Sequence, residues 1–209
     1  MNIAIVDYGV GNLFSLKSSF AAIGAEARVT GEARLIKEAD KIILPGVGAF
    51  ADAAEKLRQT GLDEVLKQQV EQGKIMMGIC LGMQLLFDES FEYGRHAGLG
   101  LIPGKVKAIE EVIGTDLKIP HMGWNALDLK QKHPLFAHIN QGDCVYFVHS
   151  YHATDCQDHI IASTEYGAPL TAAVARNNVL GCQFHPEKSG EVGLNILRAF
   201  CEIREEDLC

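Results

Sequence analysis

Pairs of closely spaced cysteines are absent from this sequence, although six cysteines are scattered along it. Without a Cys-x-x-Cys pair, zinc-finger and thioredoxin-type sites have no support, and neither a metal nor another cofactor is predicted. Long apolar runs are also missing, because none approaches the ~18 residues that a membrane span needs. The opening segment Met1–Asp7 carries no basic residues, so we expect no signal peptide, no disulfide framework and a cytoplasmic location.

Positive charge is in deficit. Lys and Arg number 19 against 27 Asp and Glu, which gives a formal net charge of −8. This balance argues against nucleic acid or an anionic membrane as the main partner, because both are bound through basic patches. Repeats with a period of roughly 20–50 residues are absent as well. The length of 209 residues suits one domain over residues 1–209.

Short apolar runs alternate with helical patterns in the first half of the chain. Continuous apolar runs typical of buried strands lie at Ile3–Asp7, Lys41–Leu44 and Ile75–Ile79, and a weaker run lies at Glu26–Val29. Apolar residues recur at helical spacing between these runs, at Asn12–Ile23, Phe50–Arg58 and Leu62–Gln72. The alternation predicts an α/β fold with a parallel sheet covered on both faces.

The second half contains more strand than helix. Strands separated by short turns, as in antiparallel sheets, are predicted at Val106–Ile109, Lys118–Trp124, Val145–His149, Ile160–Thr164, Leu170–Ala175 and Val179–Phe184. A helix is predicted at Gly190–Ile203, and residues Leu127–Gly142 are predicted to be a loop with a short helix. The glycine-rich, polar segment Glu89–Gly100 is the best candidate for a mobile loop.

The candidate nucleophile is Cys80, in the sequence Gly-Ile-Cys-Leu-Gly between an apolar strand and a helical stretch at Leu81–Phe87. This is the nucleophile-elbow pattern with Cys in place of Ser, which needs small residues two positions before and after the nucleophile. A helix N-terminus favours the thiolate, and the N–H of Leu81 would meet a developing oxyanion. The alternative is a buried structural thiol. That interpretation is preferred for the remaining cysteines, Cys144, Cys156, Cys182, Cys201 and Cys209.

A base and its orienting group are available in His185-Pro186-Glu187, which follows an apolar strand. Residues two apart in an extended segment share a face, so Glu187 could orient the imidazole of His185. Among the other histidines, His149 and His152 lie near tyrosines and could line a site.

A second strand end carries Pro45-Gly46-Val47-Gly48. Its two glycines would allow a backbone N–H to turn toward a site, although an ordinary turn is the alternative.

These three motifs, in this order, resemble the class I, triad-type glutamine amidotransferases. Five segments narrow the resemblance to the glutaminase subunits of imidazole glycerol phosphate synthases: Tyr8–Leu13, Leu44–Phe50, Gly78–Gln84, Pro120–Asn125 and Tyr146–Tyr151. The resemblance implies a flavodoxin-like, three-layer α/β fold in which helices flank a central, mostly parallel sheet with extra antiparallel strands.

The resemblance also implies roles for individual residues. Cys80 would attack the side-chain amide of glutamine, with His185 moving protons and Glu187 orienting it. The backbone N–H groups of Val47 and Leu81 would form the oxyanion hole. Positions implied to hold glutamine are Gly48, Gln84, Glu92, Ser150 and Tyr151. Positions implied near a partner or the ammonia exit are Asn12, Trp124, Tyr146 and Lys188. The alternatives are that Trp124 packs in the core and that Lys188 is an ordinary solvated charge.

The implied partner is a (β/α)₈-barrel cyclase subunit, which would use the ammonia to make imidazole glycerol phosphate and AICAR in histidine synthesis. Three alternatives stay open. The chain could serve another pathway, such as anthranilate or aminodeoxychorismate synthesis, although the Pro120–Asn125 and Tyr146–Tyr151 segments argue against this. It could be a stand-alone cysteine hydrolase, but α/β-hydrolases place the acid before the histidine. It could also be a binding subunit that has lost catalysis.

Overall fold

The computed structural model describes residues 1–208 as an alternation of strands and helices. The helices are α1 Leu13–Ala22, α2 Ala33–Glu38, α3 Phe50–Thr60, α4 Leu62–Glu71, α5 Leu81–Gln84 and α6 Gly190–Glu202. The strands are β1 Asn2–Val6, β2 Glu26–Thr30, β3 Lys41–Leu44, β4 Ile75–Ile79, β5 Phe87–Ser90, β6 His96–Ala97, β7 Ile102–Ala108, β8 His121–Ala126, β9 Asp128–Leu129, β10 Cys144–His149, β11 Tyr151–Thr154, β12 Ile160–Glu165, β13 Pro169–Arg176 and β14 Val179–Cys182.

The central sheet has eight strands in the order β2-β1-β3-β4-β14-β13-β12-β9. Its first five strands pair in parallel, and the last three add antiparallel pairs. The carboxyl ends of β1, β3, β4 and β14 therefore share one edge, where ligands of open α/β sheets bind. The predicted mostly parallel sheet with antiparallel additions is confirmed.

Side chains alternate between the two faces of the sheet, because successive strand residues point in opposite directions. In β1, Ile3 and Ile5 pack with α1 and α6 in one buried cluster. Ala4 and Val6 pack with α2, α3 and α4 in the other. This arrangement buries both faces and gives the expected three layers.

Two smaller sheets lie beside the central one. Strands β11, β7, β5 and β6 form a four-stranded sheet, and β8 pairs with β10 in an antiparallel ribbon. In the ribbon, Tyr146 lies opposite Trp124 and His149 opposite His121. The ribbon thus brings together two of the segments that carried the family resemblance.

Several element predictions were wrong in their bounds or kind. The helix predicted at Leu81–Phe87 ends at Gln84, and Phe87 instead begins β5. Within Glu89–Gly100, predicted to be loop, Glu89 and Ser90 belong to β5 and pair with β6. Helix α2 and strand β11 were not predicted. These segments are short and take their form from tertiary pairing, which local periodicity does not reveal.

No helix within residues 1–208 is long and apolar enough to cross a membrane. Cys209, interpreted from the sequence as a structural thiol, lies outside the described residues. Of the other cysteines given that interpretation, Cys156 and Cys182 are buried, whereas Cys144 is exposed and Cys201 partly exposed.

Candidate active site

Cys80 stands in a sharp turn between β4 and α5. Its backbone adopts φ 55° and ψ −114°, a conformation that costs energy for a residue with a side chain. The Cys80 N–H donates to the carbonyl of Cys182 at 2.8 Å, and the Cys80 carbonyl accepts from Gln84 N–H at 3.2 Å. The turn therefore joins the end of the sheet to the start of the helix, as the elbow pattern predicts.

The two glycines of the motif are required by close packing. A Cβ on Gly78 would lie 2.5 Å from the carbonyl oxygen of Gly82. A Cβ on Gly82 would lie 1.8 Å from the carbonyl oxygen of Leu44. Since real Cβ atoms do not approach heavy atoms this closely, neither position accepts a side chain without backbone movement.

Helix α5 contributes less to thiolate stability than the sequence suggested, because it is only four residues long. A helix macrodipole is the sum of aligned peptide dipoles, and a helix of this length therefore has only a weak macrodipole. The charge of a thiolate at Cys80 must be balanced mainly by neighbouring side chains.

His185 lies between Cys80 and Glu187. Its Nδ1 is 2.8 Å from Oε1 of Glu187, and its ring lines the same cleft as Cys80. The side chains of His185 and Glu187 are 3% and 1% exposed. Burial lowers the pKa of His185, but the hydrogen bonds and negative charges of Cys80 and Glu187 outweigh burial and raise it to about 9. With Nδ1–H donated to Glu187, Nε2 is the atom left for Cys80.

The backbone around His185 is fixed from two sides. Its N–H donates to the carbonyl of Tyr146 at 2.9 Å, and its carbonyl accepts from the hydroxyl of Ser189 at 2.7 Å. The Ser189 hydroxyl also accepts from Tyr146 N–H at 2.9 Å. The imidazole is thereby tied to the β8–β10 ribbon as well as to the central sheet.

A cleft of about 580 Å³ opens over Cys80 at the carboxyl edge of the sheet. The predicted site residues that line it are Val47, Gly48, Cys80, Leu81, Gln84, Glu92, Ser150, Tyr151, His185 and Lys188. Glu187 does not line the cleft, because it lies behind His185. The cleft therefore exposes the thiol of Cys80 and the imidazole of His185, with the carboxylate of Glu187 bonded to the imidazole outside the cleft.

Comparison with known proteins decides the family. A sequence profile described as "Glutamine amidotransferase class-I" matches residues 4–203. The chain belongs to this family. The resemblance predicted from the motifs is thus confirmed, and so is the expectation of a glutamine amidotransferase.

Relatives of this amidotransferase cover nearly its whole length. The protein named imidazole glycerol phosphate synthase subunit HisH from Sulfurimonas denitrificans is 50% identical over 204 residues, which are 97% of this chain and 98% of that one. The protein of the same name from Geobacter sulfurreducens is 46% identical over 206 residues, 97% and 99% of the two chains.

Solved structures share the fold at low identity. A crystal structure of a glutamine amidotransferase superposes with a TM-score of 0.74 at 19% identity, covering 95% of this chain and 97% of that one. The structure of PurLQS from Thermotoga maritima superposes with a TM-score of 0.75 at 20% identity, covering 96% and 97%. These likenesses confirm the predicted amidotransferase fold.

The Pro45–Gly48 segment of the amidotransferase is anchored by Tyr8, a role that sequence reasoning missed. The buried Tyr8 hydroxyl donates to the carbonyl of Pro45 at 2.7 Å. Burial, followed by the charge of Cys80, raises the pKa of Tyr8 well above its ordinary value, so the phenol keeps its proton. A Cβ on Gly46 would lie 2.8 Å from Gly82 N. Gly48 has φ +92°, which favours glycine.

Gln84 and Glu92 are both engaged within the protein. The amide nitrogen of Gln84 donates to the carbonyl of Tyr151 and to Oε1 of Gln183, each at 3.0 Å. Oε2 of Glu92 accepts from Phe50 N–H at 2.5 Å and so caps the start of α3. Both residues line the cleft, and each side chain has one oxygen that is not used in these bonds. Gln183 was not predicted, although it lies only two residues before His185.

Of the predicted exit residues, three form a cluster beside the cleft. The rings of Trp124 and Tyr146 are 6.0 Å apart, and Nζ of Lys188 is 5.8 Å from the centre of the Tyr146 ring. Trp124 is 55% exposed, which contradicts core packing. Asn12 instead lies against the triad, where its amide nitrogen is 3.5 Å from Oε1 of Glu187.

Of the two histidines predicted as possible site residues, His149 lines the cleft and His152 does not. His149 lines the cleft, where its Nδ1 donates to the carbonyl of Tyr151 at 2.8 Å and its Nε2 lies 2.9 Å from Nδ1 of His121. Burial lowers the pKa of His149 to about 3, so it is neutral. His152 is buried away from the cleft, and neither ring nitrogen has a hydrogen-bond partner among residues 1–208.

Proposed function

We propose that this chain hydrolyses glutamine through Cys80, His185 and Glu187 and supplies the ammonia to a cyclase subunit of imidazole glycerol phosphate synthase. The observation that carries the proposal is the buried pair of His185 and Glu187, bonded at 2.8 Å, with His185 lining the same cleft as Cys80. The names of the two relatives given above support the pathway.

In the first half-reaction, the thiolate of Cys80 attacks the side-chain carbonyl carbon of glutamine, and the carbonyl oxygen becomes an oxyanion. The imidazolium of His185 gives its Nε2 proton to the amide nitrogen, the C–N bond breaks and ammonia leaves. A thioester remains on Cys80. The pKa of His185 near 9 suits this step, because the imidazole is protonated at neutral pH when the amide nitrogen needs a proton.

In the second half-reaction, neutral His185 takes a proton from water, and the resulting hydroxide attacks the thioester carbon. The C–S bond breaks, which releases glutamate and restores the thiolate and the imidazolium. Glu187 keeps the Nδ1 proton in place throughout, so that only Nε2 exchanges protons with the substrate.

Backbone N–H groups of Val47 and Leu81 are proposed to hold the oxyanion. Both residues line the cleft: Val47 follows β3, and Leu81 directly follows Cys80 at the end of the neighbouring strand β4. Oriented backbone donors of this kind typically contribute about 10²–10³ in rate each.

The glutamine is proposed to lie between Glu92 and the Ser150–Tyr151 segment, with Gly48 beneath it. Because both amide hydrogens of Gln84 are already donated, only its Oε1 is available to the substrate. The carboxylate oxygen of Glu92 that does not cap α3 would accept from the α-ammonium group.

The cyclase is proposed to dock beside the cleft, on the surface that includes Trp124, Tyr146 and Lys188. Two exposed apolar side chains lie near it: Met122, 59% exposed and two residues before Trp124 in β8, and Phe14, 82% exposed, which lines a groove with Gly190 next to Trp124. Aromatic and methionine side chains are enriched at interfaces. A (β/α)₈ barrel placed there would take up ammonia before bulk water protonates it, and would convert phosphoribulosyl-formimino-AICAR phosphate to imidazole glycerol phosphate and AICAR.

Co-purification tests this proposal. The tagged chain is co-expressed with a barrel cyclase, and glutamate release is measured with and without the cyclase and its substrate. We expect a stable heterodimer whose glutaminase activity rises when the cyclase is loaded. Failure to bind the cyclase, with glutamine turnover that depends on an anthranilate-type partner instead, would refute the pathway assignment.

A further inference from the structure

Two buried glutamine side chains connect the glutamine-binding segment to the sulfur of Cys80. Gln84 donates to the carbonyl of Tyr151 and to Oε1 of Gln183, each at 3.0 Å. Nε2 of Gln183 in turn donates to Sγ of Cys80 at 3.7 Å. The chain of bonds therefore runs from the wall of the cleft to the reacting atom.

The direction of this chain is fixed by its first member. The carbonyl of Tyr151 can only accept, so the Gln84 atom facing it must be the amide nitrogen. That nitrogen has one hydrogen left, so the Gln183 atom it meets must be the oxygen. The remaining amide group of Gln183, its NH₂, must then face Cys80. Amide orientations are otherwise ambiguous, but here one backbone carbonyl settles both.

Burial makes the last bond matter. Gln183 is 0% exposed and Gln84 5% exposed, so water does not compete for either amide. The Gln183 backbone is held as well, because its N–H donates to the carbonyl of Ala172 at 2.8 Å. A hydrogen bond donated to a buried anion stabilises the charged form and lowers its pKa.

We infer that Gln183 stabilises the thiolate of Cys80 by donating a hydrogen bond to Sγ, and that Gln84 is a positioning residue that holds Gln183 in the donating orientation. The inference rests on the proposed role of Cys80 as the nucleophile. His185 supplies the charge that balances the thiolate, and Gln183 supplies a neutral donor that stays in place when His185 loses its proton. Because Gln84 also bonds to the carbonyl of Tyr151, the same chain of bonds joins the glutamine-binding segment to the nucleophile.

The pH dependence of alkylation tests the inference. Gln183→Met keeps the length and burial of the side chain but removes the donor. The full chain is treated with iodoacetamide over a pH series, and modification of the Cys80 peptide is followed by mass spectrometry. We expect the midpoint of the alkylation curve to move up by about one pH unit relative to the chain without substitutions. Gln69→Met is the matched control, since Gln69 is also buried, and among residues 1–208 its side chain bonds only to Gln72, just after α4.

A second variant keeps the test decisive if Gln183→Met does not fold. Gln183→Glu preserves the oxygen that accepts from Gln84 and replaces the donor by a carboxyl group. Its midpoint is expected to rise at least as far. Gln84→Met is expected to give a smaller rise, and the double variant Gln84→Met/Gln183→Met no more than Gln183→Met alone, because both changes break one chain.

Folded Gln183 variants whose alkylation midpoint equals that of Gln69→Met would overturn the role of Gln183. Additive effects of the Gln84 and Gln183 changes would overturn the coupling. Neither result touches the proposed nucleophile, which is tested separately by Cys80→Ala. Retention of glutaminase activity in Cys80→Ala would refute the proposed function, whatever the Gln183 variants do.

Discussion

Replacement of Gly82 by alanine should damage the elbow more than any other single methyl group added nearby. The new Cβ would lie 1.8 Å from the carbonyl oxygen of Leu44, whereas tolerated contacts begin at 3.0 Å. The turn or β3 must therefore move by more than 1 Å, at the point where Cys80 already holds a strained backbone. Overpacking of this severity costs about 3 kcal/mol or more.

Urea unfolding measures the Gly82→Ala effect. With a denaturant slope of about 2 kcal/mol per molar urea, a loss of about 3 kcal/mol moves the midpoint down by about 1.5 M. Gly114→Ala is the matched control, since a Cβ there meets nothing within 4 Å and its backbone needs no positive φ. The steric argument predicts a midpoint for Gly114→Ala within about 0.3 M of the original. Equal midpoints for the two variants would refute it.

The remaining predictions concern the triad, the sheet edge and the partner. Glu187→Gln should lower the pKa of His185 from about 9 toward its ordinary value, so that the imidazolium loses its proton at lower pH, and should lower kcat about a hundredfold or more. NMR titration of His185 measures the pKa change, and an unchanged pKa would contradict the role of Glu187. Lys41→Met should lower the free energy of unfolding, measured in urea, by about 2–3 kcal/mol, because the buried ammonium donates to the carbonyls of Phe200, Cys201 and Ile203 at the end of α6. A decrease no larger than that of Lys17→Met would show that these bonds contribute little. The isolated chain should hydrolyse glutamine poorly and the loaded cyclase should raise the rate greatly, so high glutaminase activity without a partner would contradict the coupling.

The elbow and the His-Pro-Glu motif could be predicted because each is a local arrangement. Gly78 and Gly82 are needed by one tight turn. His185 and Glu187 meet as predicted, but the extended geometry predicted for them is wrong, because Pro186–Lys188 forms a 3₁₀ turn that brings the carboxylate to the imidazole. In the structure, Nδ1 of His185 lies 2.8 Å from Oε1 of Glu187, and Cys80 has the positive φ of a tight turn. The sheet could likewise be predicted from continuous apolar runs such as Lys41–Leu44.

The parts that could not be predicted depend on contacts between distant segments. Gln183 and Gln84 are 99 residues apart, and Tyr8 and Pro45 are 37 apart. Nothing in the local pattern of either member reveals the pairing. Strand β6 spans only two residues and exists because Ser90 and His96 meet across a turn. Such short strands are defined by their neighbours rather than by their own composition.

The division of labour at Cys80 is tested most directly by comparing two nitrogen sources in the complex with the cyclase. Cys80→Ala is assayed for imidazole glycerol phosphate formation with glutamine and, separately, with ammonium salts at a pH that leaves some free ammonia. The account predicts loss of glutamine-dependent synthesis with ammonia-dependent synthesis intact. Glutamine-dependent synthesis at an undiminished rate would show that Cys80 is not the nucleophile, and loss of both activities would contradict a separate ammonia-producing site.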